Sequence, residues 1–567
     1  MRSRTIPTSL FLILGVLAHA HSAPKPPQPI SNLAYKPRIV QLPGGDLWAV
    51  TLSVEEGTQT VAIQVSENLG ETWEKQKNIL YLDKNEGSWG GPGVLVGKDG
   101  SVHVFLVCDL SKGFDVAGKP KNIPKGRYGT TRYDIYHTQS NPDRTVWEKP
   151  KTIWEGYTGA LNSVVQLKSG RILLPFSFLT DRTWGNRGEG LDAFTFRGFF
   201  DSTLVYSDDN GGSWHLLPEP FKVPTPDIVS AYGAVEPVAI ELPDGRVWML
   251  IRTQQGRFYE SFSEDGANWT PARPSSILSS DSPAGLARLP DNRIVLLWNK
   301  SLRFPYAYGG RQVMHAAISL DGGKTWKGHR EVAWDPLRHE PPPPSGDHGT
   351  AYPFPTALED GRVLFTTGQG EGRALIVVLD PDWLLETERR DDFSKNLEQW
   401  TSFGTKGVAV VPHPGLPERK VLSIRKTDPE WSSSAVWNFP AGMKGKLTLK
   451  MRLNSRSQGL QIGLSDHYSV PFDLEDVFHN LFQIQVKTGD EGDSLGVGPE
   501  EWHELAFKWD CEKRACQVTL DGKEQRNLPL QHATADGVCY LRLRSLAEES
   551  EVEGVWVESV ESAIDTD

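Results

Sequence analysis

One eight-residue turn recurs along this chain and constrains its fold more than any other feature. Residues 319–326 read SLDGGKTW and residues 207–214 read SDDNGGSW, which gives the pattern Ser-x-Asp-x-Gly-x-x-Trp. Weaker copies are SENLGETW (66–73), SNPDRTVW (140–147, with Asp143 displaced by one position) and SEDGANW (263–269). In such a turn Asp accepts backbone hydrogen bonds, Gly permits a positive φ, and Trp fills the seam between strands. The recurrence therefore indicates a repeated structural unit, with these residues as scaffold.

A second series of segments runs in phase with the turns and predicts β-hairpins. Each segment is a Gly or Asn turn that opens a run rich in β-branched and aromatic residues. The six segments are LPGGDLWAV (42–50), GKDGSVHVFLV (97–107), LKSGRILLPFS (167–177), LPDGRVWMLIR (242–252), LPDNRIVLLWN (289–299) and LEDGRVLFTTG (358–368). Repeats of this length, each supplying about four short strands, are typical of propeller blades. We therefore expect an all-β fold in which residues 30–388 form a six-bladed β-propeller.

The character of the sequence changes near residue 390. Segments such as WHELAFKWD (502–510) and VCYLRLRS (538–545) alternate like the strands of a β-sandwich. We expect residues 390–567 to form a second domain, which resembles the laminin-G or concanavalin-like jelly rolls found in carbohydrate-active enzymes. A packing domain without a ligand is the alternative.

Bulk properties limit the location and the partners of the chain. Residues 1–23 have the charged start, apolar centre and Ala-His-Ala cleavage site of a signal peptide, which predicts a secreted or periplasmic protein. No second apolar stretch reaches membrane length. The formal charge of −12 argues against nucleic-acid binding, and nothing in the sequence demands a cofactor. Among the four cysteines, Cys516 could form a local disulfide with Cys511 or Cys539.

The turns, the hairpins and the run EPVAIELPDGRVWMLIRTQQGRFYESFSEDGANW (236–269) resemble the sialidase (neuraminidase) superfamily. This resemblance implies a six-bladed propeller with an active site at its axial mouth. It also implies Tyr352 as nucleophile, Glu236 as its base, and Arg252 and Arg311 as residues that bind the substrate.

The chemistry of an acidic sugar explains why these residue types are needed. The carboxylate of a sialic acid can be bound bidentately by guanidinium groups, and it would repel an anionic nucleophile. Sialidases accordingly use a tyrosine, an exception to the usual pair of catalytic carboxylates. A neighbouring Glu can accept the phenolic proton.

Two positions depart from the family pattern. Tyr35 stands where the family carries the first of three arginines, with Lys36 and Arg38 as the nearby cations. The Asp that serves as general acid in the family aligns with the segment VEEGTQTVAIQ of this chain, where Glu55 and Glu56 lie close to the aligned position. We therefore take Arg38 as a candidate substrate-binding residue and Glu56 as the candidate acid.

The sequence favours an exo-acting glycoside hydrolase of the sialidase type, acting on terminal sialic acid or a related acidic sugar of a glycan or glycoconjugate. A hydrolase for a different glycan, or a glycan-binding propeller without catalysis, are the alternatives. Convergence of Glu236, Arg252, Arg311 and Tyr352 at one mouth distinguishes the hydrolases from an unrelated scaffold.

Overall fold

The computed structural model describes residues 24–30, 36–55, 57–83, 87–110, 133–180, 199–225, 233–302, 310–340, 348–403, 407–489 and 494–566. These residues form β-strands and two short 3₁₀ helices, Pro381–Leu385 and Glu475–His479. The expected all-β class is confirmed. The predicted signal peptide, residues 1–23, lies outside the described residues.

The first part of the chain folds into six four-stranded antiparallel sheets. Strand β1 (Gln28–Ile30) is the first strand of the described residues, yet it joins the last of these sheets by pairing with β24 (Leu375–Leu379). Sheet I contains β2 (Arg38–Gln41), β3 (Leu47–Glu55), β4 (Thr58–Ser66) and β5 (Lys77–Tyr81). Sheet II contains β6 (Ser88–Val96), β7 (Val102–Asp109), β8 (Tyr133–Gln139) and β9 (Lys151–Trp154). Sheet III contains β10 (Val165–Gln166), β11 (Ile172–Leu179), β12 (Phe200–Ser207) and β13 (His215–Leu216).

The next three sheets follow the same order along the chain. Sheet IV contains β14 (Val235–Glu241), β15 (Val247–Arg252), β16 (Arg257–Ser263) and β17 (Arg273–Leu278). Sheet V contains β18 (Gly285–Arg288), β19 (Ile294–Trp298), β20 (Val313–Ser319) and β21 (Lys327–Trp334). Sheet VI contains β22 (Phe354–Ala357), β23 (Val363–Thr367), β24 (Leu375–Leu379) and β1. Each of the six predicted hairpin segments supplies the second strand of one sheet.

The recurring turn has the same hydrogen bonds in its strongest copies. Asp321 accepts from the backbone N–H of Thr325 at 2.9 Å, from its hydroxyl at 2.7 Å and from the Ser319 hydroxyl at 2.8 Å. Equivalent bonds from Ser213 and Ser207 lower the pKa of Asp209 to about 2 from its ordinary 3.8. Because this pKa is lowered on folding, its contribution to stability is complete above about pH 4 and is lost as the pH falls toward 2.

One copy of the turn uses a different acceptor from the one that the sequence indicated. In SNPDRTVW the side chain of Asn141 accepts from the backbone N–H groups of Thr145 at 2.8 Å and Val146 at 3.0 Å. Asp143 was the expected acceptor. Pro142 occupies the position of the usual acceptor, two residues after Ser140, and the preceding Asn141 accepts the bonds in its place.

The tryptophans of these turns pack at the seams between neighbouring sheets. Six hydrophobic clusters each combine two consecutive sheets, and the last of them joins sheet VI back to sheet I. Trp73 lies in the cluster of sheets VI and I, and Trp326 in that of sheets IV and V. Trp383 of the first 3₁₀ helix occupies the seam between sheets V and VI.

A cavity of about 330 Å³ lies where the first strands of all six sheets meet. Its walls include residues of β2, β6, β10, β14, β18 and β22. The six sheets therefore share one central space.

The second part of the chain, from Glu388, forms two larger sheets. The eight-stranded sheet contains β25 (Glu388–Asp391), β27 (Val408–His413), β28 (Leu416–Ile424), β30 (Lys444–Leu453), β34 (His503–Asp510), β35 (Ala515–Leu520), β36 (Lys523–Pro529) and β38 (Val555–Ile564). The six-stranded sheet contains β26 (Trp400–Ser402), β29 (Ser434–Gly442), β31 (Leu460–Ser465), β32 (Phe482–Thr488), β33 (Leu495–Val497) and β37 (Val538–Ser545). Buried side chains of both sheets form a single core cluster.

Buried polar groups connect the six-stranded sheet to sheet V. Tyr540 Oη donates to Glu331 Oε1 at 2.6 Å and lies 2.6 Å from His315 Nε2. Because His315 Nδ1 accepts from the backbone N–H of Lys300 at 3.1 Å, Nε2 carries the proton that Tyr540 accepts. The fully buried Lys300 ammonium pairs with Asp536 at 2.8 Å. The two parts of the chain therefore satisfy each other's buried polar groups.

All four cysteines lie in the described residues, and all four are buried free thiols. Neither of the disulfides considered from the sequence forms. Burial raises the pKa of the Cys516 and Cys539 thiols to about 12, so both stay protonated at neutral pH. In the part of the chain that is described, no helix has the length and apolar character needed to cross a membrane.

We expect Asp321→Ala to lower the free energy of unfolding by about 1 kcal/mol, because it removes an acceptor that caps turn N–H groups. Asp321→Asn should cost less, since the amide of Asn68 already accepts from Thr72 in the first copy at 2.9 Å. Urea denaturation followed by tryptophan fluorescence measures both effects. Lys324→Ala, an exposed residue of the same turn whose side chain does not cap the turn N–H groups, is the control, and an equal loss for this variant and Asp321→Ala would contradict the scaffold role.

We expect Tyr540→Phe to lower the free energy of unfolding by about 2 kcal/mol, because it removes the hydrogen-bond partner of Glu331 Oε1 and of His315 Nε2 in a buried place. Tyr81→Phe, on an exposed strand, should change it by less than about 0.5 kcal/mol. The same urea titration compares them. Equal unfolding midpoints for the two variants would show that the bond between the sheets does not stabilise the protein.

Candidate active site

The candidate residues lie at the end of the sheets opposite the recurring turns. In sheets I to V the hairpin joining the first two strands and the turn joining the last two lie at one end. In antiparallel sheets the first strand therefore begins, and the second ends, at the other end. Glu236 is at the start of β14 and Arg252 at the end of β15. Arg311 precedes β20, and Tyr352 precedes β22.

Glu236, Arg252 and Tyr352 form one hydrogen-bonded group. Tyr352 Oη donates to Glu236 Oε1 at 2.7 Å, and Arg252 Nη1 donates to the same hydroxyl at 3.1 Å. Arg252 Nη1 also forms an ion pair with Glu236 Oε2. Glu236 and Arg252 are only 7% and 8% exposed, so the pair lies largely away from water. Glu236 is thus placed to receive the phenolic proton of Tyr352.

Arg311 belongs to the same group. Its guanidinium carbon lies 5.8 Å from the centroid of the Tyr352 ring, and its Nη1 donates to Gln369 Oε1. Arg311 is 2% exposed. The structure therefore brings together all four residues that the family resemblance selected from segments more than a hundred positions apart.

Asp281 completes this group and was missed by sequence reasoning. Its Oδ1 accepts from Arg252 Nε at 2.7 Å and its Oδ2 from Gln254 Nε2 at 3.2 Å. Its backbone carbonyl accepts from Arg311 Nη2. Asp281 thus links the two arginines. Asp281 lies four residues before β18, whereas Tyr352 lies two residues before β22, so its position within the repeat did not identify it.

The backbone is strained at two of these residues. Glu236 has φ 47° and Tyr352 has φ 59°, in the left-handed region that side chains with a Cβ rarely adopt. At Glu236 the register between β14 and β15 shifts from Val235 to Val238, so the residue sits in a bulge. Bulges re-aim side chains and occur next to functional sites.

Lys36 lies beside Tyr352. Its Nζ donates to the carbonyl oxygen of Gly368 at 2.8 Å and lies 5.5 Å from the centroid of the Tyr352 ring. Burial, together with the positive charges of Arg38 and Arg311, lowers the pKa of Lys36 to about 7 against the opposing effect of Glu236.

Arg38 has a different position from the one expected of a substrate-binding residue at the mouth. Its guanidinium carbon lies over the Phe354 ring, its Nη2 donates to the Leu161 carbonyl at 3.4 Å, and it lines the central cavity. Burial lowers its pKa well below the ordinary value.

The acidic candidates of sheet I are only partly described. Glu56 and Tyr35 lie outside the described residues. Glu55 ends β3 at the same end of the sheets as Arg38, is exposed, and accepts a hydrogen bond from Asn78. The role of Glu56 as acid remains a prediction from the sequence.

Comparison with known proteins yields one family match. A family model described as a BNR repeat-like domain matches residues 45–365. Among solved structures, the Hadza microbial sialidase Hz136 is similar at 17% identity with TM-score 0.45, over 62% of this chain and 66% of that one. The Trypanosoma rangeli sialidase is similar at 12% identity with TM-score 0.41, over 94% of this chain and 92% of that one.

A protein of unknown function from Dyadobacter fermentans is similar at 19% identity with TM-score 0.43, over 61% of this chain and 94% of that one. No curated protein sequence matches this chain.

We expect Asp281→Ala to lower the free energy of unfolding by about 3 kcal/mol, because it removes a carboxylate from a buried arginine. The matched control is Asp244→Ala, since Asp244 pairs with Arg246 at 2.8 Å on the surface and such pairs contribute about 0 to 1 kcal/mol. Urea denaturation measures both. Similar losses for the two variants would mean that Asp281 does not hold Arg252 in place.

Proposed function

Because this chain belongs to the BNR repeat-like family, as its recurring turns predicted, we propose that it is a glycoside hydrolase of the sialidase type. Its substrate would be a terminal sialic acid or a related acidic sugar on a glycan or glycoconjugate. The hydrogen bond of 2.7 Å between Tyr352 Oη and Glu236 Oε1, bridged by Arg252, is the observation that carries this proposal.

The proposed architecture is a six-bladed β-propeller over residues 30–388 and a β-sandwich domain over residues 390–567. Six four-stranded sheets, six seam clusters that return from sheet VI to sheet I, and one cavity lined by all six first strands support the propeller. Strand β1 begins at Gln28, so the N-terminal strand would close the ring. Two sheets with a common core support the sandwich.

In the proposed reaction Tyr352 is the nucleophile and Glu236 its base. As the bond from Tyr352 Oη to the anomeric carbon forms, the phenolic proton passes to Glu236 and the glycosidic C–O bond breaks. The leaving oxygen takes a proton from an acid, a role we assign to Glu56. Water then attacks the anomeric carbon and gives its proton to the Glu56 carboxylate. The bond from Tyr352 Oη to that carbon breaks and Glu236 returns its proton to the phenolate, so configuration is retained.

The charges around Tyr352 favour an anionic sugar. Arg252 and Arg311 are both buried within contact of the tyrosine, and arginine binds carboxylates bidentately. A substrate carboxylate held there would disfavour an anionic nucleophile, whereas tyrosine attacks as a neutral group whose proton leaves to Glu236. The pairing of a tyrosine with arginines is therefore consistent with an acidic sugar rather than a neutral one.

We expect the protein to hydrolyse a fluorogenic sialoside and Tyr352→Phe to lower kcat at least about a thousandfold, because the nucleophile is removed. Tyr206→Phe is the control, since Tyr206 lies on β12 in contact with Arg171, at the opposite end of the sheets. Release of the fluorophore measures turnover. Full activity of Tyr352→Phe would exclude the proposed nucleophile.

Turnover of sialosides by neither protein would contradict sialidase activity. In that case binding of free N-acetylneuraminic acid, measured by calorimetry, separates a glycan-binding protein from a hydrolase of another sugar.

A further inference from the structure

We propose that Lys36 supplies the third cation that binds the carboxylate of the acidic sugar, beside Arg252 and Arg311. This proposal rests on the proposed function and names a residue that determines its specificity. In this chain the first of the family's three arginines is absent from its aligned position, and the structure places an ammonium group next to Tyr352 instead.

The surroundings of Lys36 fit a ligand-binding ammonium. Its Nζ lies 5.5 Å from the Tyr352 ring centroid and 5.3 Å from that of Phe354. One of its three N–H groups bonds to the Gly368 carbonyl at 2.8 Å, which fixes the position of the group. Two N–H groups remain for a carboxylate beside the phenolic oxygen.

The charged groups around Lys36 have a net positive charge. Lys36 is faced by Arg38 on β2, by Arg311 before β20 and by Glu236 on β14, while Tyr352 lies beside it. Arg252 and Asp281 extend the same group. These named residues carry four positive and two negative charges. A bound carboxylate would offset part of the excess, and it would favour the protonated form of Lys36.

A lysine at this position changes the behaviour of the site because, unlike arginine, it titrates near neutral pH. The pKa of Lys36 in the ligand-free protein is about 7, so its charge is present below that pH and is lost above it. Only the charged form binds a carboxylate by a charge-assisted hydrogen bond. Affinity for an acidic sugar should therefore be highest in mildly acidic solution and weaken as the pH rises past neutrality.

Binding of N-acetylneuraminic acid, measured by calorimetry from about pH 5.5 to about pH 8.5, tests this role. For the unaltered protein the dissociation constant should rise by up to about tenfold per pH unit above about pH 7. Lys36→Met should weaken binding at pH 6 by roughly tenfold to a hundredfold and remove this pH dependence. Lys36→Arg should keep the affinity and make it independent of pH over the range. Lys324→Met, at the far end of the sheets, is the control.

Two results would overturn this proposal alone, and a third would overturn it together with the proposed function. Unchanged affinity in Lys36→Met shows that Lys36 does not bind the carboxylate, even where the unaltered protein cleaves sialosides and the proposed function stands. The carboxylate role is also excluded if Lys36→Arg loses kcat but keeps the original pH dependence of binding. If Lys36→Arg instead binds tightly and without pH dependence but has lost kcat, Lys36 takes part in proton transfer in addition to binding. If the unaltered protein neither binds N-acetylneuraminic acid nor cleaves a sialoside, both proposals fail together.

Discussion

A buried guanidinium must be surrounded by acceptors, and Arg252 imposes this requirement on three sheets at once. Removing an ion from water costs of order several kcal/mol, which is recovered only with well-placed partners. Glu236 comes from the adjacent strand, Asp281 from the start of sheet V, and Tyr352 from the start of sheet VI. These contacts of Arg252 therefore form only when sheets IV, V and VI pack together with Glu236, Asp281 and Tyr352 facing the guanidinium. Its geometry follows from the assembly of the sheets rather than from any one of them.

The sequence predicted the parts of the fold that depend on short-range interactions. The recurring turn and the hairpins are held by bonds between residues a few positions apart, so their motifs are sufficient to identify them. The copy in which Asn141, and not Asp143, is the acceptor shows the limit, because Pro142 occupies the position of the usual acceptor. Asp281 and Lys36 could not be predicted in the same way. Their importance arises from contacts with Arg252 and Tyr352, which lie far away in the sequence.

The second part of the chain supports the same sheet that carries half of the site. Val313 is fully buried in a cluster with Tyr468, Val470 and Tyr540, and it lies two residues after Arg311. The bonds of Tyr540 to Glu331 and His315 connect β20 and β21 to the six-stranded sheet. Packing of this kind gives the C-terminal sheets a structural role in positioning Arg311, whether or not they also bind a ligand.

The strained backbone at Glu236 and Tyr352 is unfavourable for folding, whereas the proposed reaction needs the side chains found there. A left-handed conformation costs a residue with a Cβ about 1 to 3 kcal/mol, and glycine would adopt it freely. The side chains of the two residues are hydrogen-bonded to each other, and the carboxylate of Glu236 is buried. Folding alone favours a smaller and uncharged residue at each position. A carboxylate and a phenol at these two positions fit the proton transfer that we propose between them.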